Sequence, residues 1–141
     1  MKSHDAKPAD CSMDPVTPCT AKGELSLQTV CMPADANWMG DIFGGWLVSQ
    51  MDLAGAIVAR RAAEGRVTTV AINDIVFLKP VKIGDVLACH TQITRIGNTS
   101  VHTFIEVWVS GAKGPPRKVT EGTFVYVAID DEGNKRRVES A

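Results

Sequence analysis

Asp52 sits inside a stretch, Trp46 to Ala63, that is apolar on nearly every side when wound as a helix. An ionised carboxylate is costly to bury, so it needs either a chemical task or a hydrogen-bonding neighbour. Just upstream runs Asn37-Trp38-Met39-Gly40-Asp41-Ile42-Phe43-Gly44-Gly45, whose paired glycines let the chain turn tightly and leave backbone N–H groups free where the helix begins. Free amides stabilise a developing oxyanion and a carboxylate supplies a base or nucleophile, so together they point to acyl chemistry. Gly45 is the first choice of donor, with Gly44 beside it. Helical spacing sets Gly45, Ser49, Gly55 and Ala56 next to Asp52 on a small, open face, while Trp46, Leu53 and Ile57 point elsewhere, toward a covering sheet. Ser49 either positions a water or bonds its own backbone. The plain alternative for Asp52 is a bond to a neighbouring turn.

With 141 residues, 45% of them hydrophobic, the chain fits one domain with a sizeable core. The 15 basic and 16 acidic residues nearly cancel and form no long single-sign block, which argues against nucleic-acid or anionic-membrane binding. Cys11, Cys19, Cys31 and Cys89 contain no CxxC pair and read as reduced thiols. Residues 1–22 lack an apolar run and read as a flexible leader rather than a secretion signal, so a cytoplasmic location is expected. The run Ile42 to Ala59 approaches membrane-spanning length but carries Gly44, Gly45, Ser49, Gln50, Asp52 and Gly55, which favours a soluble central helix. His4, His90 and His102 are widely separated, and no metal is expected.

The elements that position these groups follow from periodicity. Leu25 to Met32 alternates as a strand stopped by Pro33, and the helix ends near Arg60, Arg61 and Gly65. Val67 to Leu78, Val86 to Ile96, Val101 to Val109 and Val119 to Ile129 repeat with period two, and their short turn-rich connections suit antiparallel pairing of neighbours. His102 and Glu106 share one strand face with Phe104 and Trp108, an outward or interface face. Asp41 is placed to cap the helix start. One helix and about five strands make an α+β layer in which the sheet curls around the helix. The helix face left over calls for another subunit. Residues 23–133 form the domain, and residues 134–141 a polar tail after the turn Asp131-Glu132-Gly133-Asn134.

Met32-Pro33-Ala34-Asp35, Asn37, Gly40-Asp41-Ile42-Phe43-Gly44-Gly45-Trp46 and Ser49-Gln50-Met51-Asp52 closely resemble the signature of hotdog-fold acyl-CoA thioesterases of the bacterial YciA-like group. Phe77-Leu78-Lys79-Pro80-Val81, Gly84-Asp85-Val86, Glu106-Val107-Trp108-Val109 and Thr123-Phe124-Val125-Tyr126-Val127-Ala128 add to the likeness, which spans roughly Gly23 to Gly133. The resemblance implies an antiparallel sheet wrapped around one central helix, a dimer with a continuous sheet and active sites at its interface, and assembly into a trimer of dimers. It assigns the catalytic acid to Asp52, a polar partner from the opposite subunit to Asn37, and the thioester carbonyl to amides near Gly44 and Gly45. Trp38-Met39 departs from the pattern, where relatives carry small or polar residues.

A thioester hydrolase follows, acting on acyl-CoA, with coenzyme A as part of substrate and product and no further cofactor. Asp52 either deprotonates a water, the favoured route, or attacks the carbonyl itself; Asn37 holds the water or the carbonyl. Coenzyme A phosphates need cations or amides at the pocket mouth, for which Arg60, Arg61, Arg66, Lys79 and the turn Asn98-Thr99-Ser100 are candidates beside the plainer reading of solvated surface groups. The competing functions are a non-catalytic acyl-CoA sensor, which needs an added DNA-binding or regulatory segment that the leader, without an amphipathic helix, does not supply, and a hydratase or dehydratase, which wants a His paired with a carboxylate at the helix start.

Overall fold

Runs of alternating Val, Ile and Thr become strands and the Ala- and Leu-rich stretch becomes the helix, as local propensity dictates. The computed structural model describes residues 21–138; Cys11, Cys19, His4 and most of the expected leader lie outside them. In chain order the elements are β1 (Glu24–Val30), a single 3-10 turn (Pro33–Asp35), α1 (Gly44–Ala63), β2 (Val67–Phe77), β3 (Val86–Ile96), β4 (Ser100–Ser110) and β5 (Arg117–Ala128). The helix starts two residues earlier than expected, so Gly44 and Gly45 form its first turn rather than the loop before it.

All pairings are antiparallel, in the order β1-β3-β4-β5-β2. Hairpins join β3 to β4 and β4 to β5 as the short connections require, but β2 does not pair with its neighbour β3. It lies at the far edge beside β5, and residues 78–85 carry the chain back across the sheet to β1. That crossing passes the start of α1, where Ile42 N–H bonds Val81 O at 2.8 Å and Asp41 pairs with Lys82. The helix occupies the concave face, so the sheet closes around it only if β1 and β2 take opposite edges.

The core lies between α1 and the inward rows of the strands. Leu47, Met51 and Ala54 of α1 join the inward residues of β4 (Val101, Ile105, Val107, Val109), Phe124 and Tyr126 in one core, all buried. Leu53 and Ile57 do not face the sheet as expected; they remain exposed on the opposite side of α1. Trp46 is half-buried against the core. Cys31 and Cys89 are buried free thiols, pushed up to about 11 and about 12 chiefly by burial, and so stay protonated.

The left-handed residue that ends α1 is Glu64 rather than Gly65. Gly65 lies against the Arg136 guanidinium, which donates to Ala63 O at 2.9 Å and satisfies a carbonyl left over at the helix end. Beyond the turn at 131–134 the chain folds back, with Val138 buried and its N–H bonded to Asn98 O. Among the described residues no helix is long and apolar enough to cross a membrane.

Glu106 lies on the outward side of β4, as expected, yet it is buried. Trp108 Nε1 and Lys22 N–H each donate to its Oε1 at 3.0 Å, and Lys118 bridges it to Glu121. Burial alone would push this carboxyl up, but those bonds and the Lys118 charge outweigh it and hold the group below the ordinary carboxylate value. Its folded value therefore lies under its unfolded one, so its stabilisation is complete above the ordinary carboxylate range and is lost as pH falls through the lowered value. Denaturant titrations at neutral pH and at about pH 3 should show Glu106→Gln losing less stability on acidification than the parent chain. Equal losses would place the acid-sensitive group elsewhere.

Candidate active site

Asp52 lies at the border of α1, between the face packed on the sheet and an open stripe of Gly45, Ser49, Leu53, Ile57 and Arg60. Thr69 on β2 donates its hydroxyl to Asp52 Oδ1 at 2.6 Å, and Tyr126 on β5 donates its own to the backbone carbonyl of Asp52 at 2.8 Å. Thr69 and Tyr126 are register partners across β2 and β5, so one rung of the sheet grips both ends of one residue. Burial first, then the charge and bond of Asp52, push the Tyr126 hydroxyl far up, and it stays a donor. Tyr126 reaches the helix because position 55 is glycine: a Cβ there would stand 2.3 Å from its hydroxyl and 2.7 Å from Ile105 Cδ1. Gly55 therefore serves the sheet contact and leaves no ligand space, contrary to its sequence reading.

Neither Thr69 nor Tyr126 stood out in the sequence. Signals were present: Thr69 is a hydroxyl in the inward row Val67, Thr69, Ala71, and Tyr126 is the sole tyrosine, in a closing strand that buries it. A buried phenol needs a partner, and the fold alone names it.

At the start of α1, the cap residue Phe43 offers no side-chain acceptor. Trp46 and Leu47 N–H bond Phe43 O, which leaves the amides of Gly44 and Gly45 without a partner among the described residues. Asp41 is not the cap expected, because its carboxylate turns to Lys82. A Cβ at Gly44 would sit 3.1 Å from the Phe77 ring, whereas Gly45 faces open space. Beside Gly44 lies a cleft of about 330 Å³ lined by Ile42, Leu47, Phe77, Leu78 and Lys79. A cleft that carries Leu47, Phe77 and Leu78 and reaches Gly44 suits an acyl thioester.

Asn37 closes the preceding loop. Its Oδ1 accepts from Met39 N–H at 2.8 Å and Asp41 N–H at 3.1 Å, so only its Nδ2 hydrogens remain to offer a ligand, and its expected use as an acceptor is lost. Ser49 donates to Trp46 O at 2.6 Å, the back-bonding alternative, and does not reach Asp52. Arg61 is paired with Glu24. Arg66 donates to the carbonyls of Asp130 and Asp131 yet lines, with Arg60, a second cleft beside Leu53 and Ile57, while Lys79 lines the Gly44 cleft. In the turn Asn98-Thr99-Ser100, Asn98 O and Thr99 O accept from Val138 and Ala128 N–H, and Ser100 Oγ meets His102 Nε2. His90 and His102 lie on β3 and β4, not at the helix start. Among the described residues no three His, Cys, Asp or Glu side chains converge to hold a metal.

Residues 39–114 match the thioesterase superfamily. The chain is 50% identical over 121 residues to the acyl-CoA thioester hydrolase YciA of Salmonella typhimurium, covering 83% of this chain and 91% of that one. The chain belongs to the thioesterase superfamily. Its structure is similar to the hexameric thioesterase y2039 of Yersinia pestis, with a TM-score of 0.83, 50% identity and coverage of 86% of this chain and 99% of that one. It is similar also to Cj0915, a hexameric hotdog fold thioesterase of Campylobacter jejuni, at 39% identity and a TM-score of 0.79 over 83% of this chain and 91% of that one. The hotdog thioesterase fold accounts for the long helix wrapped by one antiparallel sheet among the described residues.

Proposed function

We propose that this chain hydrolyses acyl-CoA to a free acid and coenzyme A, with Asp52 as the general base. The observation that carries the reading is the carboxylate at the edge of the open helix face, its Oδ1 held by Thr69 and its Oδ2 bonded to no described residue. A water on Oδ2 loses a proton to Asp52 and attacks the thioester carbon, and the oxyanion lies on the amides of Gly44 and Gly45. The C–S bond then breaks and the sulfur leaves with the proton held by Asp52. Asn37 Nδ2 donates to the water or the carbonyl.

Two subunits are needed to build this site. Gly45 and Asp52 are seven residues apart on α1, about 10 Å of rise, too far for one carbonyl to meet both. A two-fold axis passing between Val48 and Ser49 brings Asp52 to the partner's Gly45. Thr69 holds Asp52 and Phe77 lies on Gly44, so the same operation sets Thr69 opposite the partner's Phe77, with the axis midway, at Asn73 on the free edge of β2. That edge exposes Val70, Ile72, Val76 and Phe77, an apolar row that calls for pairing. The axis taken from the helix thus falls on an exposed apolar sheet edge, which supports a dimer with a continuous sheet. The hexameric relatives support a trimer of such dimers. Lys79, Arg60 and Arg66 are then the cations for the coenzyme A phosphates.

Thiol release measured over short, medium, long and aromatic acyl-CoAs tests the activity, and no release from any of them overturns it. Loss of a hydrogen bond to a charged carboxylate, about 1.5–3 kcal/mol, should make Thr69→Val roughly 10- to 100-fold slower in kcat with little change in KM, while Thr69→Ser keeps most of the rate. A Val variant as fast as the parent would remove Thr69 from the mechanism.

A further inference from the structure

The loop ahead of α1 holds two large apolar side chains away from the chain that carries them. Trp38 is 89% exposed and Met39 67%. The loop is closed by its own bonds, Asn37 N–H to Asp41 O at 2.7 Å and Asn37 Oδ1 to the amides of Met39 and Asp41, which hold the backbone that carries the indole. Two large apolar groups exposed side by side in water suit a contact surface. Farther along the uncovered face of α1, a cleft of about 360 Å³ lies among Leu53, Ala56, Ile57, Arg60, Arg66 and Val67.

We propose that Trp38 of each subunit seats in this cleft of its partner and so positions Asn37 beside the partner's Asp52. The inference rests on the two-subunit site above. The axis between Val48 and Ser49 that brings Asp52 to the partner's Gly45 carries Leu53 to the first turn of the partner's helix and Ile57 to the segment just ahead of it, the segment that holds the exposed Trp38 and Met39. Leu53, Ile57 and Val67 offer an apolar floor to the ring, and a guanidinium of Arg60 or Arg66 covers its face. Both surfaces are exposed in a single chain, and each supplies what the other lacks. Trp38 directly follows Asn37, so seating the ring sets where the closed loop, with the Asn37 amide it holds, lies against the partner's Asp52.

The test uses full-length chains carrying Cys11→Ser and Cys19→Ser, one with Trp38→Cys and one with Ile57→Cys, made together and treated with a short bismaleimide. A covalent dimer should form from the pair and from neither variant alone. In the parent background, Trp38→Ala should raise the concentration at which light scattering detects single chains by roughly 30-fold, and should lower kcat more than it raises KM even where the assembly holds; Trp38→Phe should restore most of both. Paired chains that assemble and hydrolyse acyl-CoA without cross-linking overturn the docking and spare the two-subunit site. Parent protein that hydrolyses at full rate as single chains overturns both. Assembled parent protein that cross-links as the pair but releases no thiol overturns the proposed activity and upholds the docking.

Discussion

Asp52→Asn should leave an assembled protein whose thiol release from acyl-CoA is at least about a thousandfold slower than the parent's, the size expected when a general base is removed. The amide keeps the shape of the carboxylate and still accepts the Thr69 hydroxyl through its oxygen, so stability should change by less than about 1 kcal/mol. The loss is therefore chemical rather than structural. Denaturant midpoints and light scattering measured beside the kinetics separate the two. A variant as active as the parent would leave Asp52 as a structural residue bonded to β2 and β5.

Gly55→Val should give a large loss of stability at the helix. The first carbon of the new side chain would already meet the Tyr126 hydroxyl at 2.3 Å and Ile105 Cδ1 at 2.7 Å, inside a fully packed layer. Moving α1 away breaks the bond from Tyr126 to Asp52 O, and overpacking adds to it, for a total of about 3–4 kcal/mol and a Tm lower by roughly 10 °C. Gly55→Ala makes the sharper test of sign. Helix propensity favours alanine by about 1 kcal/mol, so a stabilised protein would show that the sheet has room and that Tyr126 does not clamp the helix. A destabilised one, losing activity together with stability, supports the clamp. Tyr126→Phe, which removes the hydroxyl and leaves the ring, should then relieve part of the cost of alanine at position 55.

The two residues that grip Asp52 show where sequence reading stops. Thr69 lies seventeen positions from Asp52 and Tyr126 seventy-four, on two strands whose mutual register is interrupted by a bulge just after Thr69. A one-residue change of register would turn either hydroxyl to the other face of the sheet. Periodicity assigns each residue a face, but it does not say which rung lies under which turn of the helix. The same limit explains Leu53 and Ile57. Their spacing marks an apolar face, but Met51, Ala54 and Val58 form another, and only packing decides which one the sheet covers.

Local pattern by itself determined the five strands, the long helix with one acid in it, the glycine pair at its start and the family resemblance, because propensity, period and capping act within a few residues of each other. Tertiary structure alone decided that β2 lies at the far edge, that the Asn37 acceptor is used up in its own loop, that Ser49 bonds backward and that Arg61 is taken by Glu24. Each of those outcomes depends on which groups distant in sequence arrive within about 3 Å, a distance fixed by the packing of the whole chain.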